Sequence, residues 1–380
     1  MDLENAHRAV VKIGSGVLTN DNGLNVRAIR SISGQIHRLM DRGIEIILVS
    51  SGAMASGVKK VGLPKRPEEI PKRQAVAAVG QAGLMMEYEK AFSRYGRQVA
   101  QILLTHDDLN HRERYLNARN TLHVLLSWKI VPIINENDTV AVEEIKFGDN
   151  DNLSAMIALL MDAHVLVNLT DIDGLYDKDP RRFADAELMP EVSLITQKIE
   201  KAASGIPGAL STGGMLGKIQ AAKKVTAAGI PMVIAKGEKP NILIDLFGGK
   251  RAGTVFIPKQ KKMASRKCWI AFSSKPKGVL TLDDGAASAV LNQGKSLLPS
   301  GIIGVDGEFQ MGAPVQFKGA GGEILGIGLV NYSSEDIRKI MGLRSDRIRK
   351  RLGHKSFDEI IHRDNLAITA ACEKDHQNDN

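Results

Sequence analysis

Six short runs in the first 255 residues are apolar at nearly every position: 9–13, 44–49, 99–104, 130–134, 165–169 and 232–235. Each is β-branched or otherwise apolar and is bounded by Gly, Pro, Asn or Asp. Strands buried on both faces of a sheet read this way. Between them lie helical patterns, for example 26–42 and 74–95. Strands alternating with helices predict an α/β architecture whose sheet is mainly parallel and covered on both sides. From about residue 259 the texture changes. A basic stretch leads into short, glycine-rich apolar segments at 278–281, 300–305, 314–317 and 324–330, which predict a small, largely β module. The tail, 373–380, is polar and expected to be disordered.

In such a sheet the chemistry belongs at the carboxyl ends of the strands, where loops enter helices. Polar residues gather there. Gly14-Ser15-Gly16 follows the first run, Ser50-Ser51-Gly52 the second, Asn135-Glu136-Asn137-Asp138 the fourth and Thr170-Asp171 the fifth. Two further stretches stand out. Gly148-Asp149-Asn150-Asp151-Asn152-Leu153-Ser154 packs carboxylates and carboxamides into a turn that opens an apolar run. Thr212-Gly213-Gly214-Met215-Leu216-Gly217-Lys218 is a glycine-rich loop ending on a lysine before a predicted helix over 219–227.

Length and composition narrow the class. At 380 residues two domains are expected, and 43% hydrophobic with 25% charged residues is an ordinary composition for a large packed core. The two cysteines, Cys268 and Cys372, stand apart from each other and from any histidine cluster. That excludes a disulfide framework or a Cys/His metal site and agrees with a reducing, cytoplasmic compartment. Residues 1–7 lack the apolar core of a signal peptide, and the most apolar region, 153–169, is interrupted by Asp162 and His164, too soon to span a membrane. The net charge of +8 is concentrated in the last third, over 259–277 and 338–355. Such a face can follow nucleic acid, but it is also how a solvated linker and helix face read.

Lys12 lies inside an apolar strand just before a Gly-x-Gly turn. A buried ammonium needs an anionic partner or a route to solvent. Near the strand end it can reach over the turn to a phosphate, with backbone N–H groups aimed at the same anion. Lys218 offers a second cation at a helix entry, where the helix dipole also favours an anion. Asp151 is the natural partner for both. Phosphoryl transfer asks mainly for positioning and charge cancellation, which two lysines held by one carboxylate supply. Asn150 and Asp138 can take the α-ammonium of an amino acid, and Ser51 with the Gly52 amide can take a carboxylate. Helix capping is the competing role for Asp149 and Asp151. Residues 203–211 are expected to form a lid over nucleotide. A dinucleotide fingerprint fails because Thr19 stands where its third glycine belongs, and neither Gly294-Lys295-Ser296 nor Gly217-Lys218 completes a Walker A loop. The histidines, His106 included, show no metal-ligand spacing.

These residues, in this order, resemble the amino acid kinase family, and within it the branch that phosphorylates the γ-carboxylate of glutamate. The resemblance also covers Ala77-Ala78-Val79-Gly80-Gln81 and Leu116-Asn117-Ala118-Arg119-Asn120-Thr121. It implies a three-layer αβα sandwich over 1–258, a basic linker over 259–276, a small, mainly β PUA-like domain over 277–353 and a C-terminal segment over 354–380. It implies ATP-dependent formation of L-glutamyl 5-phosphate, the first step of proline biosynthesis, with Mg2+ brought by ATP and no direct protein ligand to metal. Carried onto matching positions, Lys12 and Lys218 stabilise the transferring phosphoryl and Asp151 organises them. Ser51, Gly52, Asp138 and Asn150 bind glutamate. Lys12, Thr170, Asp171, Thr212, Gly213, Gly214, Met215, Leu216, Gly217 and Lys218 contact ATP. Where the family often has Ser-Thr before the last lysine, this chain has Leu216-Gly217, so no hydroxyl at those positions reaches phosphate. The resemblance further implies a homo-oligomer (dimer or tetramer), proline as feedback inhibitor, and glutamyl phosphate reductase as a partner. RNA binding through the PUA-like domain stays open, though an aromatic stacking set is missing. Two alternatives remain: a relative acting on another carboxylate, and an RNA-binding regulator with a degenerate kinase.

Overall fold

A computed structural model describes residues 3–20, 23–140, 149–204, 214–258, 267, 269–271 and 276–369. All six apolar runs form strands: Arg8–Ile13 (β1), Glu45–Ser50 (β2), Val99–Leu104 (β3), Val131–Glu136 (β4), Val165–Thr170 (β5) and Met232–Lys236 (β7). Two short strands, Glu191–Val192 (β6) and Thr254–Phe256 (β8), complete an eight-stranded sheet in the order β3-β4-β2-β1-β5-β7-β8-β6. Pairing is parallel from β3 through β7, and the β7–β8 pair is antiparallel. The first strand in sequence therefore sits mid-sheet between β2 and β5.

Alternation along the central strands assigns their faces. Ala9, Val11 and Ile13 on β1, with Val165, Val167 and Leu169 on β5, enter one core with Ile29, Ile32, Ile36 and Leu39 of the helix Val26–Asp41 (α1). Val10, Lys12, Leu166 and Asn168 turn to the other layer. There the helix Asp149–Leu160 (α6) covers the sheet beside Met215–Ala227 (α8). The stretch from Leu153 to Leu160 on α6 is buried throughout, as expected of a helix that is apolar all round.

Two helix starts differ from the sequence pattern. The expected helix over 74–95 is Ile70–Ser93 (α3), because Pro71 occupies the first turn, where its missing N–H costs nothing. The helix expected over 219–227 begins at Met215, with Gly214 as its N-cap, so Lys218 lies one turn inside rather than at the entry. Three further helices, His106–Asn110 (α4), Arg112–Ser127 (α5) and Gln197–Ser204 (α7), lie between α3 and α8 in the chain. Ala53–Val61 (α2) and α3 approach backbone to backbone. A Cβ on Gly80 would lie 1.8 Å from the Ala53 carbonyl oxygen, and one on Gly57 1.9 Å from that of Val76.

The chain divides into two compact units, 1–262 and 263–380. The second holds a five-stranded sheet of Gly278–Leu282 (β9), Ile302–Gly307 (β10), Pro314–Lys318 (β11), Ile324–Leu329 (β12) and Leu366–Ile368 (β13), in the order β10-β9-β11-β12-β13. Leu280, Phe317, Ile337 and Ile361 are among its own core residues. Its last strand comes from within 354–380, where Leu366 and Ala367 are buried against β12. The tail at 373–380 and most of the basic stretch at 259–276 lie outside the described residues.

Candidate active site

The buried charges at the carboxyl end of β1 form one group. Lys12 Nζ lies 2.6 Å from Asp151 Oδ1, and Lys218 Nζ lies 3.0 Å from Asp151 Oδ2. All three side chains are at least 95% covered. Lys12 comes from mid-sheet, Asp151 from the first turn of α6 and Lys218 from the second turn of α8. Both carboxylate oxygens are turned to cations, so Asp151 does not cap its helix. Lys12 has strands on either side, so it does not reach solvent from a sheet edge. Burial pulls the Lys12 ammonium down to about 8, against the attraction of Asp151 and with the repulsion of Lys218. For Asp151, burial pushes the carboxyl up, but the two ammoniums and their hydrogen bonds outweigh it and hold it below the usual range. Two cations and one anion leave the group positive, which suits an incoming phosphate.

A line of carboxamides runs away from this group. Asn150 Nδ2 donates to Ser51 Oγ at 2.9 Å, to Asn135 Oδ1 at 3.1 Å and to the Ser50 carbonyl at 3.3 Å. Asn135 Nδ2 in turn donates to Gln81 Oε1 at 2.9 Å. The Ser50 carbonyl can only accept, so it fixes which way the Asn150 amide is turned. The buried Asn150 Oδ1 is left with no hydrogen-bond partner among the described residues. Gly52, at φ +108°, caps the start of α2 and takes a backbone conformation that a side chain would strain.

Asp138 stands elsewhere. It lines a cavity of about 250 Å³ together with Gln81, Gln101, Glu136 and Asn137. Burial pushes its carboxyl above the usual range, opposed by Arg66 and Arg73. Gln81 belongs to both groups, so the carboxamide line connects the cavity to Asn150. On the other flank Thr170 Oγ1 donates to Asp171 Oδ1 at 2.9 Å, and the Asp171 charge attracts the Lys12 ammonium. Gly16 passes close beside Asp171: a Cβ there would sit 3.0 Å from its side chain. The Met215 side chain is buried, so what α8 offers a ligand from 215–217 is its first-turn N–H groups. Thr212, Gly213 and most of the expected lid at 203–211 lie outside the described residues.

Sequence reasoning missed several members of this site. Asn168 Nδ2 donates to Asp151 Oδ1 at 2.7 Å from inside an apolar strand. Tyr88 OH lies 2.8 Å from Ser50 Oγ, and burial pushes its hydroxyl well above the ordinary phenol range. Asn152 is held between His106 Nδ1 at 3.0 Å and the Lys224 ammonium. Gln81 and Asn135 stand in motifs that had been noted without being given a role.

The amino acid kinase family model matches residues 7–236, and the PUA domain model matches 278–352. A protein of Syntrophus aciditrophicus named glutamate 5-kinase is 52% identical over 96% of this chain and 95% of its own length. One of Geobacter sulfurreducens with the same name is 50% identical over 96% of this chain and 98% of its own. The match thus takes in both units and every residue of the site above. The chain belongs to the amino acid kinase family and, within it, to the glutamate 5-kinases.

Proposed function

We propose that this chain transfers the γ-phosphoryl group of ATP to the γ-carboxylate of L-glutamate, giving L-glutamyl 5-phosphate and ADP, the first step of proline biosynthesis. The observation that carries the proposal is the buried Lys12–Asp151–Lys218 group, set beside relatives that bear the glutamate 5-kinase name.

In this reading a γ-carboxylate oxygen attacks the γ-phosphorus in line, and the bond to the bridging oxygen of ADP breaks. Lys12 and Lys218 cancel the charge spread over the transferred group, and Asp151 keeps both ammoniums aimed at it. Thr170, Asp171 and the 212–218 stretch hold the nucleotide. Ser51 and the Gly52 amide hold a glutamate carboxylate. Asp138 and Asn150 Oδ1 take the α-ammonium. Asn150 suits that part because the atom it leaves without a partner among the described residues is an acceptor. Both Asp151 oxygens already face cations, so Mg2+ would come carried on the ATP phosphates, where it would share the charge cancellation. Residues 259–276 act as a linker between the kinase domain and the PUA domain. A homo-oligomeric state, inhibition by proline, a reductase partner and a cytoplasmic location follow from the family resemblance.

The test is a hydroxylamine trap with ATP and Mg2+, comparing L-glutamate, N-acetylglutamate and aspartate. Hydroxamate from L-glutamate alone is the expected result. Hydroxamate from N-acetylglutamate instead would favour the second reading, a relative with another acceptor, because an acetylated amine offers Asp138 no charge to pair with.

A further inference from the structure

We infer that Asn168 is a positioning residue for phosphoryl transfer: it fixes the Asp151 carboxylate so that each oxygen serves one lysine. The inference rests on the proposed kinase reaction and adds a residue to it.

The register of the sheet carries the argument. In the parallel β1–β5 pair, Asn168 is the partner of Lys12, so the two side chains leave the sheet side by side on the same face. Helix α6 covers that face and sets Asp151 over both. Asp151 Oδ1 then receives Lys12 Nζ at 2.6 Å and Asn168 Nδ2 at 2.7 Å, while Oδ2 receives Lys218 Nζ at 3.0 Å. Lysine side chains are long and turn freely, so two ammoniums alone do not define the rotation of the carboxylate between them. A short amide on a central strand does. Its donor is fixed by the backbone, and it selects Oδ1.

The amide orientation follows from the same chemistry. Asp151 is ionised and can only accept, so the Asn168 group facing it is the NH2. That leaves Asn168 Oδ1 buried with no hydrogen-bond partner among the described residues. A buried orphan acceptor is costly. Asn168 is also fully buried between Val167 and Leu169, within a strand whose other members are apolar up to Thr170. A residue placed there only to fill space would be a leucine or valine. The asparagine keeps one unsatisfied atom and gains one bond, and that bond is to the carboxylate at the centre of the site.

The test uses the full chain with Asn168→Leu, which keeps volume and removes the donor, and with Asn168→Ala as companion should the leucine not fold. Circular dichroism and melting temperature establish the fold, and the parent protein in the same hydroxamate assay establishes the reaction. If the parent makes no hydroxamate, the kinase reading fails. Given an active parent, the variant tests Asn168 alone. The expected result is kcat lowered about tenfold or more, with KM for glutamate and for ATP within about threefold. An Asn168→Ser variant, whose hydroxyl restores a donor, is expected to recover part of kcat. A folded leucine or alanine variant with kcat within about threefold of the parent overturns the inference. So does a variant whose KM values rise in step with the loss, since Asn168 would then act on substrate rather than through Asp151.

Discussion

Lys12 and Lys218 approach the same carboxylate from opposite sides, one on each oxygen of Asp151, and all three groups are buried. Asp151 is the counter-charge that both ammoniums contact directly. Asp151→Asn should therefore leave two buried cations facing each other, a loss of about 3–5 kcal/mol by analogy with broken buried pairs. Nucleotide phosphates would replace the missing charge. The melting temperature of the variant should fall without ligand and recover more than the parent's on addition of ATP and Mg2+. An unchanged melting temperature without ligand would remove Asp151 from this role.

Lys218→Ala acts on the transition state. Turnover should drop by roughly two to three orders of magnitude, the scale of losing one main charge-stabilising group, while KM for glutamate changes little. Steady-state kinetics at saturating ATP check this, and a near-normal kcat would show that Lys218 only balances Asp151.

Asp138→Ala should act on binding. Its carboxylate lines the cavity away from the phosphoryl lysines, so KM for glutamate should rise about tenfold or more, with kcat far less affected. An unchanged KM would sever Asp138 from the ammonium.

The depressed Lys12 ammonium predicts a pH dependence with two signs. Activity needs the charged form, so kcat/KM for ATP, which reports the free enzyme, should fall as pH rises through about 8. Bound phosphates favour the ammonium, so kcat itself should hold to higher pH. Stability moves the other way. Between about 8 and the ordinary lysine value of 10.5 the unfolded chain binds the extra proton, and raising pH through that window relieves the folded state. Lys12→Met should abolish the activity trend and weaken the stability trend, which Lys224, also pulled down to about 8 by burial, shares. An activity profile that keeps its fall would assign that titration to another group.

Most of the first unit was legible because a sheet buried on both faces writes its strands as unbroken apolar runs. Lys12 was legible for the same reason, since a charge inside such a run demands a partner. Asn168 was not: one asparagine in an apolar strand looks like any satisfied core polar group until register sets it beside Lys12. The start of α8 was hidden by Gly214 and Gly217, which read as loop although the helix includes Gly217. Gln81 and Asn135 stood in recognisable motifs, but only the hydrogen bonds that join α3 to β4 and β4 to α6 show that they form a line to Asn150. The strand at Leu366–Ile368 is too short and too far from its sheet partners in sequence to have been read as part of the second unit.

The central place of β1 has a consequence for biosynthesis. In chain order Lys12 precedes Asp151, and Lys218 comes only with α8. A nascent or truncated chain can bring Lys12 and Asp151 together as a neutral pair, with no net positive charge to draw a phosphate. Only docking of α8 tips the balance. The positive balance of the site thus depends on α8, and a chain that ends before α8 lacks the second ammonium on which the proposed transfer relies.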